Sequence, residues 1–294
     1  MSDLFFERVA FIGIGHIGSS LARVMLRDKL AGRITACANR AETLETVKRL
    51  KLADSVTTDP AAAVKDADLV VLATPLSAYG AVAQAIAPAL RPGAILTDVG
   101  SVKSLVLREV KPLLPPEIHL VPGHPVAGTE NSGPESGFPE VFRGRWCILT
   151  PVPGGDAAAL DKVTRLWQAA EMEVVTMDAE HHDTVLAITS HLPHLIAYTI
   201  VGTATDLEET LKSEVIKFSA SGFRDFTRIA ASDPVMWRDI FLNNREAVLA
   251  VLQRFNEDLT ALQRAIRWGE GDKLQALFTR TRAIRRSIIE AKQA

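Results

Sequence analysis

Residues 9–18 read Val-Ala-Phe-Ile-Gly-Ile-Gly-His-Ile-Gly, an apolar strand pattern that runs directly into Gly-x-Gly-x-x-Gly, and a helical pattern follows. In a strand-turn-helix unit of this kind Gly13 permits the sharp turn, Gly15 lets the backbone approach a pyrophosphate, and Gly18 allows the helix to pack closely on the strand. The N-terminus of the helix offers unpaired N–H groups to an anion. The stretch therefore predicts a dinucleotide-binding turn. The residues expected to contact the cofactor here are Gly13, Ile14, Gly15, His16, Ile17 and Gly18.

Short apolar runs alternate with helical stretches along the first 177 residues. Several of these runs are continuously apolar, which is typical of parallel strands covered on both faces. The predicted strands are Val9–Ile12, Ile34–Ala38, Leu69–Ala73, Ala94–Asp98, Ile118–Val121, Trp146–Leu149 and Glu173–Thr176. We therefore expect an α/β N-terminal domain, residues 1–177, built on a doubly wound (Rossmann-type) parallel sheet.

The pattern changes after Asp178, a residue type that caps helices, and is helical from there on. Apolar residues recur at spacings of three and four near the end of the chain. They are Val248, Leu252, Phe255, Leu259, Leu262 and Ile266. We expect an all-α C-terminal domain over residues 178–294. The apolar stripe is longer than one chain can bury, so we expect a homodimer through this domain. A core inside a single helical bundle is the alternative.

The composition is that of an ordinary globular chain, with 47% hydrophobic and 23% charged residues in 294. A formal net charge of −2 gives no field for nucleic acid or for an anionic membrane surface. The longest apolar stretches fall short of the roughly 18 residues that a membrane span needs, and no cationic leader precedes Val9. Cys37 and Cys147 lie far apart in strand-like segments, which favours two buried reduced thiols over a disulfide or a metal site. We expect a cytoplasmic protein with no nucleic-acid or membrane partner.

The end of the second predicted strand bears on which dinucleotide binds. NAD-binding versions of the fold place an acidic residue there, about 20 positions beyond the glycine turn, against the ribose 2′-hydroxyl. This chain has Asn39 and Arg40 instead, and their amide and guanidinium donors suit a 2′-phosphate. We therefore expect NADP to be preferred, with NAD as the alternative. The other interpretation of Arg40 is a solvated loop charge.

Ligands of such sheets bind beyond the carboxyl ends of the strands. Thr74 and Pro75 follow one predicted strand and are expected to contact the cofactor. Ser101 follows another and could cap a helix beginning at Val102. His124 follows a third, in a loop made rigid by glycine and proline, and of the seven histidines it is best placed to act as general base for a hydroxyl that loses its hydride. A structural loop histidine is the alternative.

Three longer motifs carry a resemblance to a known family. They are Gly-His-Pro-Val-Ala-Gly-Thr-Glu at 123–130, Ser-His-Leu-Pro-His at 190–194, and Gly-Phe-Arg-Asp-Phe-Thr-Arg-Ile-Ala at 222–230, followed by Ser-Asp-Pro at 232–234 and Met-Trp-Arg at 236–238. In this order they resemble the prephenate/arogenate (cyclohexadienyl) dehydrogenases of tyrosine biosynthesis, and the resemblance covers nearly the whole chain. It implies the oxidative decarboxylation of a cyclohexadienol acid, prephenate or arogenate.

The resemblance also implies a role for each matching residue. His124 would accept the proton of the ring hydroxyl, with Ser101 hydrogen-bonded to that hydroxyl or to the imidazole. His194, supported by Ser190, would contact the substrate. Arg228 would bind the ring carboxylate that departs as carbon dioxide, since a guanidinium can take a carboxylate in a bidentate manner.

Four further residues are placed around these by the same resemblance. Thr129 and Glu130 would shape the rim of the site, and Asp225 and Trp237 would hold the segment that carries Arg228. We expect no metal. His191 and His194 could share a helix face, but no third ligand accompanies them. The run His181-His182-Asp183 is interpreted as a solvated helix start.

Two alternative functions stay open at this point. A 3-hydroxyacid or 6-phosphogluconate type dehydrogenase would use a lysine of the helical domain, such as Lys212 or Lys217, and would leave the His124 loop without a role. A non-catalytic NADP-sensing protein would be expected to have lost His124 or Arg228, and both are present.

The first and last predicted elements bear on how the protein could be regulated. The first predicted strand starts at Val9 and the helical pattern runs almost to Ala294, so we expect no separate regulatory domain. Tyrosine keeps the ring and side chain of the aromatised product. We therefore expect tyrosine to inhibit competitively with the substrate.

Overall fold

The computed structural model describes residues 5–205, 214, 217 and 220–290, and every structural statement below refers to these residues. The strands are β1 Phe6–Ile12, β2 Ala31–Cys37, β3 Ser55–Thr57, β4 Leu69–Leu72, β5 Ile95–Asp98, β6 His119–Val121, β7 Gly123–Pro125, β8 Trp146–Leu149 and β9 Glu173–Thr176. The α-helices are α1 His16–Arg27, α2 Ala41–Arg49, α3 Pro60–Val64, α4 Tyr79–Ile86, α5 Lys103–Leu105, α6 Ala157–Ala169, α7 Ala179–Leu186, α8 Leu192–Thr205, α9 Ser221–Thr227, α10 Pro234–Asn243, α11 Arg245–Arg267 and α12 Gly271–Glu290. A π-helical turn follows α5 at Val106–Val110, and another follows α7 at Ala187–His191.

Six strands form one parallel sheet in the order β3-β2-β1-β4-β5-β6. Side chains of a strand alternate between its two faces. Val9 and Phe11 of β1 accordingly pack in one apolar cluster with α1 and α6, whereas Ala10 and Ile12 pack in a second cluster with α4. The sheet is covered on both faces, and the doubly wound α/β prediction is confirmed. Its topological switch point lies between β1 and β4, where such folds bind their ligands.

The strand bounds differ from the prediction by up to three residues, and two short strands were missed. β1 begins at Phe6 and β2 at Ala31, three residues earlier than predicted in each case, whereas β8 and β9 match the predicted bounds. β3 and β7 have three residues each, too few to show a periodicity, and neither was predicted. β8 and β9 also do not join the parallel sheet. They form a separate three-stranded sheet in the order β7-β8-β9.

The prediction that His124 lies in a loop was wrong. His124 is the middle residue of β7, which pairs antiparallel with β8 so that His124 lies opposite Ile148. A strand pairing, together with the neighbouring glycine and proline, therefore holds the backbone of this histidine.

Beyond β9 the described residues are helical, as predicted. Asp178 caps α7 by accepting a hydrogen bond from the His181 backbone N–H at 2.7 Å. The continuous helical run Ala179–Ala204 contains an 18-residue window with a mean hydropathy of 1.4 and, by length and composition alone, could cross a membrane. The run is nevertheless attached to the sheet region, because its Asp183 is buried and accepts hydrogen bonds from Lys103 and Ser104.

The chain divides into two compact units, residues 1–245 and 246–294. All candidate site residues lie in the first unit. In the second unit Val248 and Ala265 are buried, but α11, α12 and the turn between them carry several large apolar side chains that are more than half exposed. These are Leu249, Leu259, Ile266, Trp268, Phe278 and Ile284.

Candidate active site

The glycine turn between β1 and α1 has the shape of a phosphate cradle. Gly13 has φ +88°, and a Cβ there would lie 2.5 Å from the Ala73 carbonyl, so only glycine fits. A Cβ on Gly18 would lie 3.1 Å from the Gly13 oxygen, which reflects the close packing of helix on strand. A Cβ on Gly15 would meet no protein atom within 4 Å. Glycine at position 15 is therefore explained by a ligand that approaches the backbone and not by the fold.

Two polar atoms beside this turn also favour a bound group. Thr74 Oγ1 and His16 Nε2 are buried and have no hydrogen-bond partner in the described part of the chain. Gly15 precedes α1 without any side-chain cap, so the first N–H groups of the helix are free for an anion. Ile14 is buried in the core and offers only its backbone. The residues of the turn thus fit a dinucleotide pyrophosphate.

Two other parts of the predicted cofactor site lie where such a cofactor needs them. Asn39 and Arg40 are exposed at the carboxyl end of β2, and Arg40 is the residue immediately before α2. Thr74 and Pro75 follow β4, next to Gly13 across the switch point.

His124 is buried and belongs to a chain of three polar side chains. Its Nδ1 lies 2.8 Å from His182 Nε2, and His182 Nδ1 lies 2.8 Å from Asp183 Oδ1. His182 is fully buried and Asp183 is 3% exposed. The interpretation of His181-His182-Asp183 as a solvated helix start was therefore wrong for the last two residues. The N-cap at Asp178 starts α7 in the phase that turns them inward.

The direction of these hydrogen bonds follows from the carboxylate. Asp183 accepts hydrogen bonds from the backbone N–H of Lys103 at 2.7 Å and of Ser104 at 2.9 Å, and from the Ser104 hydroxyl. An ionised carboxylate only accepts, so His182 carries its proton on Nδ1 and presents the lone pair of Nε2 to His124. His124 must then donate from Nδ1. We assign its lone pair to Nε2, the tautomer that can take a proton from a ligand.

Burial keeps both imidazoles neutral. It is the main cause that lowers the pKa of His124 well below its ordinary value, and the nearby His182 and Lys103 lower it further. Burial also lowers the pKa of His182 against the opposing effect of Asp183. For Asp183 burial alone raises the pKa, but the hydrogen bonds from His182, Ser104 and two backbone N–H groups outweigh it, and the net pKa is below the ordinary value. The trio is thus neutral imidazole, neutral imidazole and carboxylate near neutral pH.

A buried ion pair lies next to the residue that precedes His124. Lys103 and Asp98 are 0% and 1% exposed, and Lys103 Nζ donates to Asp98 Oδ2 and, at 2.6 Å, to the Gly123 carbonyl. Asp98 accepts from the Gly123 N–H at 3.1 Å, the Gly100 N–H at 2.8 Å and the Tyr79 hydroxyl at 3.1 Å. The pair therefore ties the ends of β5 and α4 to the residue that precedes His124.

The helical side of the first unit supplies the second predicted histidine. The imidazole of His194 stacks on Trp237, with ring centroids 3.7 Å apart, and its Nδ1 lies 2.8 Å from the Ser190 carbonyl oxygen. Ser190 thus supports His194, as predicted, but through its backbone. The carbonyl fixes the proton of His194 on Nδ1 and leaves Nε2 as an acceptor. Trp237 lies against both His194 and His191.

Arg228 is the remaining predicted substrate ligand. Its guanidinium forms an ion pair with Glu130 at 3.2 Å, and its side chain is 62% exposed. A carboxylate already fits this guanidinium, and an exposed pair of this kind is weak, so an anionic ligand can replace it at little cost. Thr129 accepts from the Asn131 N–H within the same rim segment. The rim then continues over the nucleotide turn, where His16 Nδ1 lies 3.0 Å from Ser136 Oγ.

Ser101 follows β5, as predicted for a residue at the carboxyl end of the sheet. It is half-buried after β5, and neither a hydrogen bond to His124 nor a capping bond is found for it in the described residues; Val102 is the N-cap position of α5. The hydroxyl that does bond into the trio is that of Ser104. Asp98, Lys103 and Asp183 were missed in the sequence. The available signal was Asp98 itself, a charge at the end of a fully buried strand, which requires a buried partner.

Comparison with known families matches both parts of the chain. The model described as prephenate dehydrogenase, nucleotide-binding domain, matches residues 21–176. The model described as prephenate dehydrogenase, dimerization domain, matches residues 178–280.

Individual relatives match over nearly the full length. A cyclohexadienyl dehydrogenase of Zymomonas mobilis is 41% identical over 283 residues, 96% of each chain. A prephenate dehydrogenase of Bacillus subtilis is 32% identical and is matched over 92% of this chain and 72% of its own. The crystal structure of a prephenate dehydrogenase from A. aeolicus in complex with hydroxyphenyl propionate and NAD+ has 33% identity and a TM-score of 0.88 over 96% of this chain and 98% of that one. From the match of both family models and the likeness to these relatives, the chain belongs to the prephenate dehydrogenase family.

Proposed function

We propose that this protein oxidatively decarboxylates prephenate, arogenate or both, with transfer of a hydride to a nicotinamide dinucleotide, as a step of tyrosine biosynthesis. The observation that carries the proposal is the buried His124-His182-Asp183 trio, which presents an unprotonated imidazole nitrogen in a domain built around a phosphate-binding glycine turn. Family membership removes the 3-hydroxyacid and 6-phosphogluconate alternative. Of the two lysines of that alternative, Lys212 lies outside the described residues.

His124 is the general base of the proposed reaction. Its Nε2 accepts the proton of the ring hydroxyl while the carbinol carbon gives up its hydride. The dinucleotide, when bound, supplies the electron acceptor. The positive charge that forms on His124 is stabilised through His182 by the Asp183 carboxylate, an arrangement that also fixes the orientation of the base. Loss of carbon dioxide then gives an aromatic ring, which makes the conversion effectively irreversible. Ser101 is proposed to bond to the reacting hydroxyl.

Arg228 and His194 are proposed to hold the substrate. The ring carboxylate replaces Glu130 on the Arg228 guanidinium, since both are carboxylates and the existing pair is exposed. His194, fixed by Trp237 and by the Ser190 carbonyl, offers Nε2 as an acceptor to the substrate. Thr129 and Glu130 shape the rim.

For the cofactor we propose NADP over NAD. The support is that Asn39 and Arg40 are exposed at the end of β2, in the position where an acidic residue selects NAD. Gly13, Ile14, Gly15, His16, Ile17 and Gly18 would hold the pyrophosphate, and Thr74 and Pro75 would line the switch point.

We further propose that the protein is a cytoplasmic homodimer with a dinucleotide domain at 1–177 and a helical substrate and dimerisation domain at 178–294. The exposed apolar side chains of α11 and α12 support a subunit contact there. Tyrosine is proposed to compete with the substrate, and weakly, because it lacks the ring carboxylate that Arg228 would bind. Steady-state inhibition at varied substrate tests this, and a purely noncompetitive pattern would place tyrosine elsewhere.

The decisive experiment is an assay of the purified protein with each acid and each dinucleotide, following reduced nicotinamide by absorbance. We expect turnover with at least one of the two acids and a higher kcat/KM with NADP. Binding of dinucleotide without turnover of either acid would instead favour the non-catalytic sensor. A higher kcat/KM with NAD would refute the cofactor proposal and leave the reaction standing.

A further inference from the structure

Gly123, the residue before the proposed base, has both of its backbone polar groups bound by one buried ion pair. Its N–H donates to Asp98 Oδ1 at 3.1 Å, and its carbonyl accepts from Lys103 Nζ at 2.6 Å. A Cβ on Gly123 would lie 3.2 Å from the Asp98 carbonyl oxygen, so the end of β5 approaches β7 closely. The backbone that enters His124 is therefore held from both sides.

Lys103 also reaches the far end of the trio. Its backbone N–H donates at 2.7 Å to Asp183 Oδ1, the oxygen that binds His182 Nδ1. The ammonium group of Lys103 thus contacts the strand that carries His124. The backbone N–H of the same residue contacts the carboxylate that orients His182. Lys103 is therefore a second connection between base and carboxylate, besides the hydrogen bonds of the trio itself.

Stability alone is a poor explanation for such a pair. Burying two charges costs several kcal/mol each, and apolar residues of similar volume are often as stable or more stable in their place. We infer that Lys103 and Asp98 are positioning residues, whose function is to align His124 with the trio through the backbone of Gly123. This inference rests on the proposed role of His124 as base.

Several charged or titratable groups lie around His124 and influence its protonation. They are Lys103, Asp98, His182, Asp183, His191 and Cys147. Of the charged groups, the Lys103 ammonium opposes a second positive charge on His124, and His182 and His191 act in the same direction. Removing the ammonium therefore raises the pKa of His124, while burial still holds that pKa below the ordinary histidine value.

The test is the double variant Lys103→Met with Asp98→Asn, which removes both charges and leaves no buried ion unpaired. We expect kcat to fall by about 10², the cost of a small misplacement of a catalytic group, and the acid limb of kcat/KM to move to higher pH. Dissociation constants for the dinucleotide, measured by calorimetry, should stay unchanged. The matched control is Lys48→Met with Glu45→Gln, an exposed pair on α2 at 2.7 Å, which should alter neither kcat nor the limb.

A second variant separates alignment from charge. Lys103→Gln with Asp98→Asn differs from the first double variant only in keeping a donor for the Gly123 carbonyl without a cation, so kcat should be higher than in that variant while the acid limb stays shifted. If the double variants change only the melting temperature, and kcat and the limb match the wild type, the pair is structural and the inference is refuted.

The wild type gives a check that needs no substitution. With 15N-labelled lysine, Lys103 should show a charged ammonium whose protons exchange slowly with water; fast exchange would overturn the inference. Failure of the proposed function is distinguishable, because it shows as normal turnover in His124→Asn, whereas failure of this inference alone leaves His124→Asn inactive.

Discussion

Asp183→Asn is the substitution that tests the tautomer chain most directly. The carboxylate accepts at Oδ1 from the Lys103 N–H and from His182, and at Oδ2 from the N–H and hydroxyl of Ser104. An amide has only one accepting atom, so its NH2 group must face a backbone N–H in either orientation. The neutral amide also no longer compensates a positive charge on the imidazoles.

The expected size of the effect follows from these contacts. One lost hydrogen bond to a buried charged group costs about 1.5–3 kcal/mol, which corresponds to a melting temperature lower by roughly 3–12 °C for a unit of this size. Where a carboxylate orients a catalytic histidine directly, the amide lowers kcat by about 10⁴. Here the carboxylate acts through a second imidazole, so we expect a fall in kcat between about 10² and 10⁴.

The assay is steady-state kinetics with the better acid and dinucleotide, with the melting temperature measured in parallel. KM and dinucleotide affinity should change little, since Asp183 is buried behind His182. The matched control is Asp178→Asn on the same helix, because asparagine caps a helix as well as aspartate does and this change should leave kcat as it is. If Asp183→Asn loses stability as expected but keeps kcat within about threefold of the wild type, a change far below the general-base contribution, the orientation of His124 does not depend on the carboxylate and the reasoning is wrong.

Four other outcomes are expected. His124→Asn should lower kcat by about 10²–10⁴ while dinucleotide binding, measured by calorimetry, is unchanged; a variant that keeps half of the wild-type kcat removes His124 from the mechanism. Arg40→Ala should weaken NADP far more than NAD in the same calorimetric measurement, and equal losses would make Arg40 a solvated charge. Arg228→Ala should lower kcat/KM for the acid by roughly tens to thousands of fold through the lost carboxylate pairing, with cofactor affinity unchanged; unaltered kinetics would contradict this. Burial lowers the pKa of His191 from 6.5 to about 4, so the unfolded chain binds more protons between these values. The contribution of His191 to the free energy of unfolding should then be fully present above about pH 6.5 and fall by about 3 kcal/mol towards pH 4. In His191→Gln the free energy of unfolding, measured by urea denaturation at each pH, should decrease less steeply over that range.

The nucleotide turn could be predicted from the sequence because its physics is local. Gly13, Gly15 and Gly18 are required by one turn and by the helix that follows it, within ten residues of chain. His124 was identified for a related reason, since it follows a strand and its neighbours restrict the backbone. The short strand in which it lies was missed, because β7 exists only through pairing with β8, more than 20 residues away.

The partners of His124 could not be found in this way. His182 and Asp183 lie 58 and 59 residues further along the chain, and the His181-His182-Asp183 run has the composition of an exposed helix start. Only the packing of α7 on α5 shows that two of these three residues face inward. Lys103 was missed because a lysine is almost never fully buried, so the sequence alone predicts a solvated side chain.

These contacts also bear on where the catalytic part of the chain ends. The short sheet β7-β8-β9 supplies His124, the proposed base, and β5 and α5 supply the ion pair next to it, whereas α7 supplies both the imidazole and the carboxylate that fix its tautomer. Asn244, after α10, then donates to the Asp183 carbonyl at 2.8 Å and bonds to His191 at 3.1 Å, which ties the end of the first unit to the same helix. A chain cut at the predicted boundary of 177 would keep the nucleotide turn and His124 but lose the groups that orient it. The proposed mechanism therefore requires residues well beyond 177, as far as Asn244, whereas the glycine turn that would bind the dinucleotide lies within the first 18 residues.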